Sequence, residues 1–464
     1  MSGNFPFGFQ PPDDDPDRKN NPLGDFDMSQ LGSMLENLGR MMQSGGGDGS
    51  VNWDMANQVA RSTQPQKDDN GVSSPERSAV DDATRLANLW LGESESFPAT
   101  STESHSWSRG EWVAGTLPAW KQIITPVADQ VQSTMGTMMT GQGLPTEGLP
   151  PELDMGQLSE MLGPLTGMAK QMGSAMFGSQ VGQGLGTLSG EVLCSSDIGI
   201  PLTEDGVPTI VPRNVNEFAD GIDIPRQDVL LFIALRECAH QRLYTHVPWL
   251  RARLEESVDA YARGISLDTS AIEEAVSNVD PSNPESLQEV LGGGVFELSD
   301  SPEQKAALAR LETLLALIEG WVDFVVDEAA SDKLPKLAQL NEAMRRRRAA
   351  GGPAEKTFAQ LVGLELRPRR LREATQFWRE ITDKRGLEGR DAVWEHPDLL
   401  PSADDLDDLS QFWAREAAVA DFAAQLDAGA IAASIESEDS SDGQDSGTAE
   451  ETDGDEPDKG SGDS

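Results

Sequence analysis

Arg236-Glu237-Cys238-Ala239-His240 lies in the middle of a run that opens at Pro225 and carries Val229, Leu230, Ile233 and Ala234 on the way in. Pro225 stands where a first helical position would, with its φ preset and no N–H to lose, so a long helix is predicted through these five residues. Positions 236 and 240 share one face of that helix, and Glu237 flanks them. A second helix is predicted over residues 314–328, where Glu319, Asp323 and Asp327 recur every fourth residue on an otherwise apolar segment. Isolated buried charge is costly, so three carboxylates on such a face require a cation or a metal opposite them. The two helices together predict a mainly α body.

The chemistry of the first helix turns on its residue types. In a helix of the form H-E-x-x-H, two histidines four apart hold Zn²⁺ from one side and the glutamate activates the bound water. Here Glu237 stands in the general-base position and His240 in that of the second ligand, but Arg236 replaces the first histidine. A guanidinium stays protonated and has no lone pair to donate, so any further ligands come from elsewhere. His246 is one candidate, at the spacing of the extended H-E-x-x-H-x-x-G-x-x-H pattern, although Leu243 stands where that pattern has glycine. Glu319 is another, with Asp323 as an alternative to His246 for completing the shell and Asp327 flanking. Two readings follow. In one, His240, Glu319 and a further group bind zinc; in the other, Arg236, His240 and the acidic ridge form a buried ion-pair network. Cys238 lies about 200° around the helix from His240, away from that face, and reads as a packed thiol.

Outward from the motif, Gly178, Gly182, Gly186 and Gly190 recur every fourth residue and form a bare ridge. Each costs about 1 kcal/mol of helix stability relative to Ala, which predicts a second helix packed closely on the ridge. The piece from Pro208 through Ile210 to Pro212 is β-prone, and its prolines limit a strand there to an edge. Residues 1–77 read as mostly disordered, rich in Gly, Pro, Asp and Asn, with one Met-rich amphipathic helix carrying Leu31, Met34, Leu35, Leu38, Met41 and Met42. A helical domain is expected over residues 78–434, with Trp90, Trp107, Trp112 and Trp120 near its start, and a disordered acidic tail over residues 435–464.

The balance of 36 Lys+Arg against 79 Asp+Glu gives a net charge of -43, which repels phosphate backbones and argues against a nucleic-acid partner. Residues 436–464 hold twelve acidic residues and one lysine, so the tail carries -11 and the remainder is still strongly acidic. The arginine runs at 345–348 and 367–372 are therefore expected to pair within the molecule. With only Cys194 and Cys238 and no apolar leader or long apolar window, a reducing cytoplasmic setting without a membrane span is expected.

From Asp223-Ile224-Pro225-Arg226-Gln227-Asp228 through the Arg236 to His240 core to Leu243-Tyr244-Thr245-His246-Val247-Pro248-Trp249-Leu250, the chain resembles the zincin-like family of actinobacteria, hydrolases or zinc-dependent metalloproteases. Glu319-Gly320-Trp321, the segment 345–355 and the stretch 358–372 share the resemblance, which covers roughly residues 80 to 415. It implies a zincin-like helical body, a peptidase site around Glu237, His240 and Glu319, zinc as cofactor and a peptide or protein substrate. The departure at Arg236 leaves a second possibility, a catalytically inert zincin-derived scaffold that recruits a protein partner.

Overall fold

The computed structural model describes residues 49–63, 69, 71–139, 155–203, 206–267, 298–350 and 370–439. The Met-rich segment around Leu31 to Met42, the arginines 367 and 369 and most of the acidic tail lie outside the described residues.

The body is built of helices, as the periodicity predicts: α1 (Trp53–Thr63), α2 (Ser74–Leu91), α3 (Arg109–Met139), α4 (Met155–Ser189), α5 (Pro212–Ile222), α6 (Arg226–His246), α7 (Pro248–Arg263), α8 (Pro302–Ala330), α9 (Leu337–Ala349), α10 (Leu371–Asp391), α11 (Ala403–Asp407) and α12 (Leu409–Asp439). Among the described residues four short strands accompany them: β1 (His105–Ser106), β2 (Thr209–Ile210), β3 (Ile265–Leu267) and β4 (Leu298–Asp300). Local chemistry sets several of the helix starts. Ser73 and Glu76 form a reciprocal capping box at α2, and the Ser301 hydroxyl accepts from Gln304 N at α8.

The ordered body begins earlier than residue 78. Helix α1 lies on the glycine ridge of α4, with Ala56 and Ala60 fully buried. A Cβ built on Gly178 would strike the Asn52 carbonyl, one on Gly182 the Ala56 carbonyl, and one on Gly186 would stand 2.8 Å from the Ala60 carbonyl. Backbone thus meets backbone along two turns, and only glycine leaves room for it.

Helix α6 runs through the centre. Every residue from Phe232 to Tyr244 is buried, charged ones included. Helix α8 crosses beside it and is itself buried from Leu311 to Val322. On its far side Gly320 admits α10, since a Cβ there would lie 2.7 Å from that of Ala374. Trp378 and Trp321 fasten the crossing by donating to the Leu317 carbonyl and to Asp391, each at 2.9 Å.

Strand β2 is not an edge. It pairs in parallel with β1 on one side and meets Cys194 through an antiparallel bridge on the other. Pro208 and Pro212 fall just outside the two paired residues, where no ladder N–H is needed, so the prolines bound the strand without exposing it.

Candidate functional site

Helices α6 and α8 bring Arg236, His240, Glu319 and Asp323 together. Arg236 donates through Nη2 to Glu319 Oε2 at 2.7 Å and through Nη1 to Asp323 Oδ1, so its guanidinium spans two turns of the acidic ridge. A second guanidinium, that of Arg348 at the end of α9, also donates to Glu319 Oε2 and approaches Asp323 at 3.5 Å. Arg236 and Glu319 are almost fully buried.

His240 completes the group. Its Nδ1 lies 2.9 Å from the Arg236 carbonyl, which can only accept, so that nitrogen carries a proton and donates. Its Nε2 lies 3.1 Å from Glu319 Oε1. Burial pushes the Glu319 carboxyl up, but the charges of Arg348, His240 and Arg236 together outweigh it and hold the group well below the usual carboxylate range. Both ring nitrogens are thus engaged within the protein, Nδ1 with the Arg236 carbonyl and Nε2 with Glu319 Oε1. Burial likewise acts to lower Arg236, but Asp323 and Glu319 overcome it and raise the group above its ordinary value.

Glu237 points into a different environment. One oxygen accepts from Ser195 Oγ at 2.6 Å, Thr209 N at 3.0 Å and Gln241 Nε2 at 3.0 Å; the other accepts from Ser196 N at 3.2 Å and from Ser196 Oγ. The side chain is wholly buried and fully supplied with donors, so it pins Ser195, Ser196 and Thr209, the first residue of β2, to α6. The sequence places Glu237 as a water-activating base; the structure gives its oxygens no lone pair to spare for a proton in transit.

The other candidate residues diverge from the group. His246 ends α6 on the exposed side, donates through Nε2 to the Pro98 carbonyl at 3.0 Å and stacks on Phe97. Spacing along one helix cannot bring it to His240, because residues six apart point about 120° away from each other around the axis. Asp327 accepts from Asn341 of α9 and stays outside the Arg236 pair, its carboxyl raised by partial burial. Cys238 and Cys194 are both buried free thiols, and burial raises the thiol of Cys238. Sequence reasoning missed Arg348 as a partner of Glu319 and Ser195, Ser196 and Thr209 as partners of Glu237. The Arg345 to Arg348 run does signal intramolecular pairing, and Arg347 also follows it, donating to Asp197 at 2.6 Å. The serines carry no pattern that could have announced them.

A model of the zincin-like metallopeptidases matches residues 51–413. The chain belongs to the zincin-like metallopeptidase family. Its fold is similar to that of "a putative hydrolase with a novel fold from Chloroflexus aurantiacus", with a TM-score of 0.53 and 19% identity, over 79% of this chain and 98% of that one. No curated protein matches the chain. The family implies zinc, and the residues of this member do not fit it. The guanidinium of Arg236 occupies the first-ligand position, Glu319 is bonded to two guanidinium groups, and both ring nitrogens of His240 are engaged within the protein. Among the described residues, no group of three His, Cys, Asp or Glu is placed to hold a metal ion.

Proposed function

We propose that this chain is a non-catalytic member of the zincin-like metallopeptidases, a helical scaffold that binds a protein partner instead of cleaving one. The observation that carries this reading is the pair of guanidinium groups on Glu319. Arg236 and Arg348 bring two positive charges to the carboxylate face, the charge that a zinc ion would have supplied. A buried ion-pair lattice of this kind binds α6, α8 and α9 to one another. A cytoplasmic setting accords with the two buried free thiols. Among the described residues no helix is long and apolar enough to cross a membrane.

One observation favours a zinc peptidase as the second reading. His240 Nε2 and Glu319 Oε1 are 3.1 Å apart, near the roughly 3.3 Å that two ligands on one tetrahedral zinc would show with bonds of about 2.0–2.1 Å. On that reading Arg236 withdraws and orients a carboxylate ligand, and a peptide is the substrate. Metal analysis of the protein purified without chelator or affinity-tag metal separates the two. The scaffold reading expects zinc far below one equivalent and no hydrolysis of peptide substrates. Stoichiometric zinc would refute it.

A further inference from the structure

A cleft of about 400 Å³ opens where the starts of α2, α3, α5 and α6 meet. Its volume falls in the roughly 300–1,000 Å³ range of small-molecule sites. Val72, Pro212 and the half-buried ring of Trp107 supply its apolar surface, and His105 stacks on that ring at 5.6 Å. The charged groups on its walls are each compensated. Arg226 donates through Nε and Nη2 to the two oxygens of Asp220, at 2.9 and 2.7 Å. Glu217 accepts from Arg109 at 2.7 Å and from Arg213 at 3.2 Å. Asp69 and Glu76 each give one oxygen to a helix start, to Gly110 N in α3 at 3.2 Å and to Ser73 N before α2 at 2.9 Å, where the helix dipole favours negative charge. The cleft is therefore polar without a strong local field for an ion of either sign.

Hydrogen-bonding capacity of both kinds is left over. Among the described residues, the Asn216 amide and the Trp107 indole N–H have no hydrogen-bond partner, and neither do Arg226 Nη1, Asp69 Oδ1 and Glu76 Oε1. Donors and acceptors thus line one space beside an aromatic ring. A sugar has the complementary mixture: adjacent hydroxyls that each donate and accept, and C–H faces that lie against such a ring. The carboxylate oxygens accept from its hydroxyls, Arg226 and Trp107 donate to them, and the Asn216 amide does both. We propose that this cleft is a binding site for a neutral saccharide. Arg226 stands ten residues before Arg236 on α6, about 15 Å along the axis, so the site is separate from the Arg236 seat and does not depend on the scaffold reading.

The probes are maltose, cellobiose, lactose and trehalose, titrated into the full chain and into Asn216→Ala with saturation-transfer NMR as the readout. The Asn216 side chain makes no bond within the protein, so the variant keeps its fold and its charge, and an unchanged melting temperature verifies this. At least one of the four sugars is expected to bind wild type, and Asn216→Ala to bind that sugar about tenfold more weakly, a difference of about 1.4 kcal/mol. Glucosamine and glucuronate, a cationic and an anionic relative of glucose, should each bind no more tightly than glucose, because the charges of the cleft are already paired. Absence of binding by all four disaccharides would overturn the proposal. Equal affinity of wild type and Asn216→Ala for the sugar that binds would place that sugar elsewhere and overturn it as well. Cadaverine that displaces the sugar and binds more tightly than it would assign the cleft to an organic cation, with the same result.

Discussion

At Glu319 three donors converge on one buried carboxylate, and the consequence of removing it follows from what they would lose. Glu319→Ala strands Arg236 with only Asp323 and leaves His240 Nε2 without an acceptor. Breaking a buried pair from one side costs about 3–5 kcal/mol, so chemical denaturation should show a loss of that order. Wild-type stability in the variant would mean that α6 and α8 are not joined here. Arg236→His restores the H-E-x-x-H spacing and removes one of the two cations on Glu319. Calorimetry is expected to show zinc binding by the variant that exceeds that of wild type, with proton release, because a ligating imidazole must be neutral. No peptide hydrolysis should accompany it, since Glu237 remains tied to Ser195, Ser196, Thr209 and Gln241. No zinc uptake would show that His240 and Glu319 cannot serve as ligands even with Arg236 gone.

A second buried carboxyl, Glu95, has the opposite disposition. Its Oε1 accepts from Arg242 at 2.8 Å, while Oε2 is buried without a hydrogen-bond partner. Burial is the largest influence and Asp391 adds to it, so despite Arg242 and Arg390 the carboxyl is pushed up to about 8 from 4.5. The folded state therefore holds a proton that the unfolded chain releases at lower pH. The associated stability is fully present below about 4.5 and is lost as pH rises through about 8. Between pH 6 and 9, wild type should lose stability with rising pH, and Glu95→Gln should show a flatter profile. Identical slopes in urea unfolding would show that Glu95 does not titrate in this range.

On the scale of elements, the glycine spacing in α4 predicts a close neighbour, and α1 is that neighbour. Gly182→Leu places a side chain against the Ala56 carbonyl and Val59, so α1 must lift from the ridge. A drop of several degrees in melting temperature is expected. Gly167→Ala, on the same helix with open space around it, should instead raise stability by about 1 kcal/mol through helix propensity. If both variants behaved alike, the ridge would not be a packing surface. The element that the sequence misplaces is β2. Its prolines suggest an edge, yet what matters is where their missing N–H groups fall, and both lie beyond the two paired residues.

For the molecule as a whole, the acidic tail is expected to be separable from the helical body. Removing residues 436–464 takes away -11 of charge and no apolar residue able to dock, so the thermal unfolding of the body should stay within about a degree of the full chain. A large drop would reveal that the tail packs on the body. The mainly α architecture, the central helix through Arg236 to His240 and the acidic ridge of α8 were legible in the sequence, because periodicity and residue type are local properties. The incapacity of Arg236 to ligate zinc was legible for the same reason: it is a property of the guanidinium itself. What the tertiary structure alone decided is which groups meet. Arg348 reaches Glu319 from a different helix 29 residues away, His246 turns out to Pro98, and Glu237 meets two serines some 41 residues upstream. Such encounters depend on how helices cross, and no spacing within a single helix encodes the partner on the next.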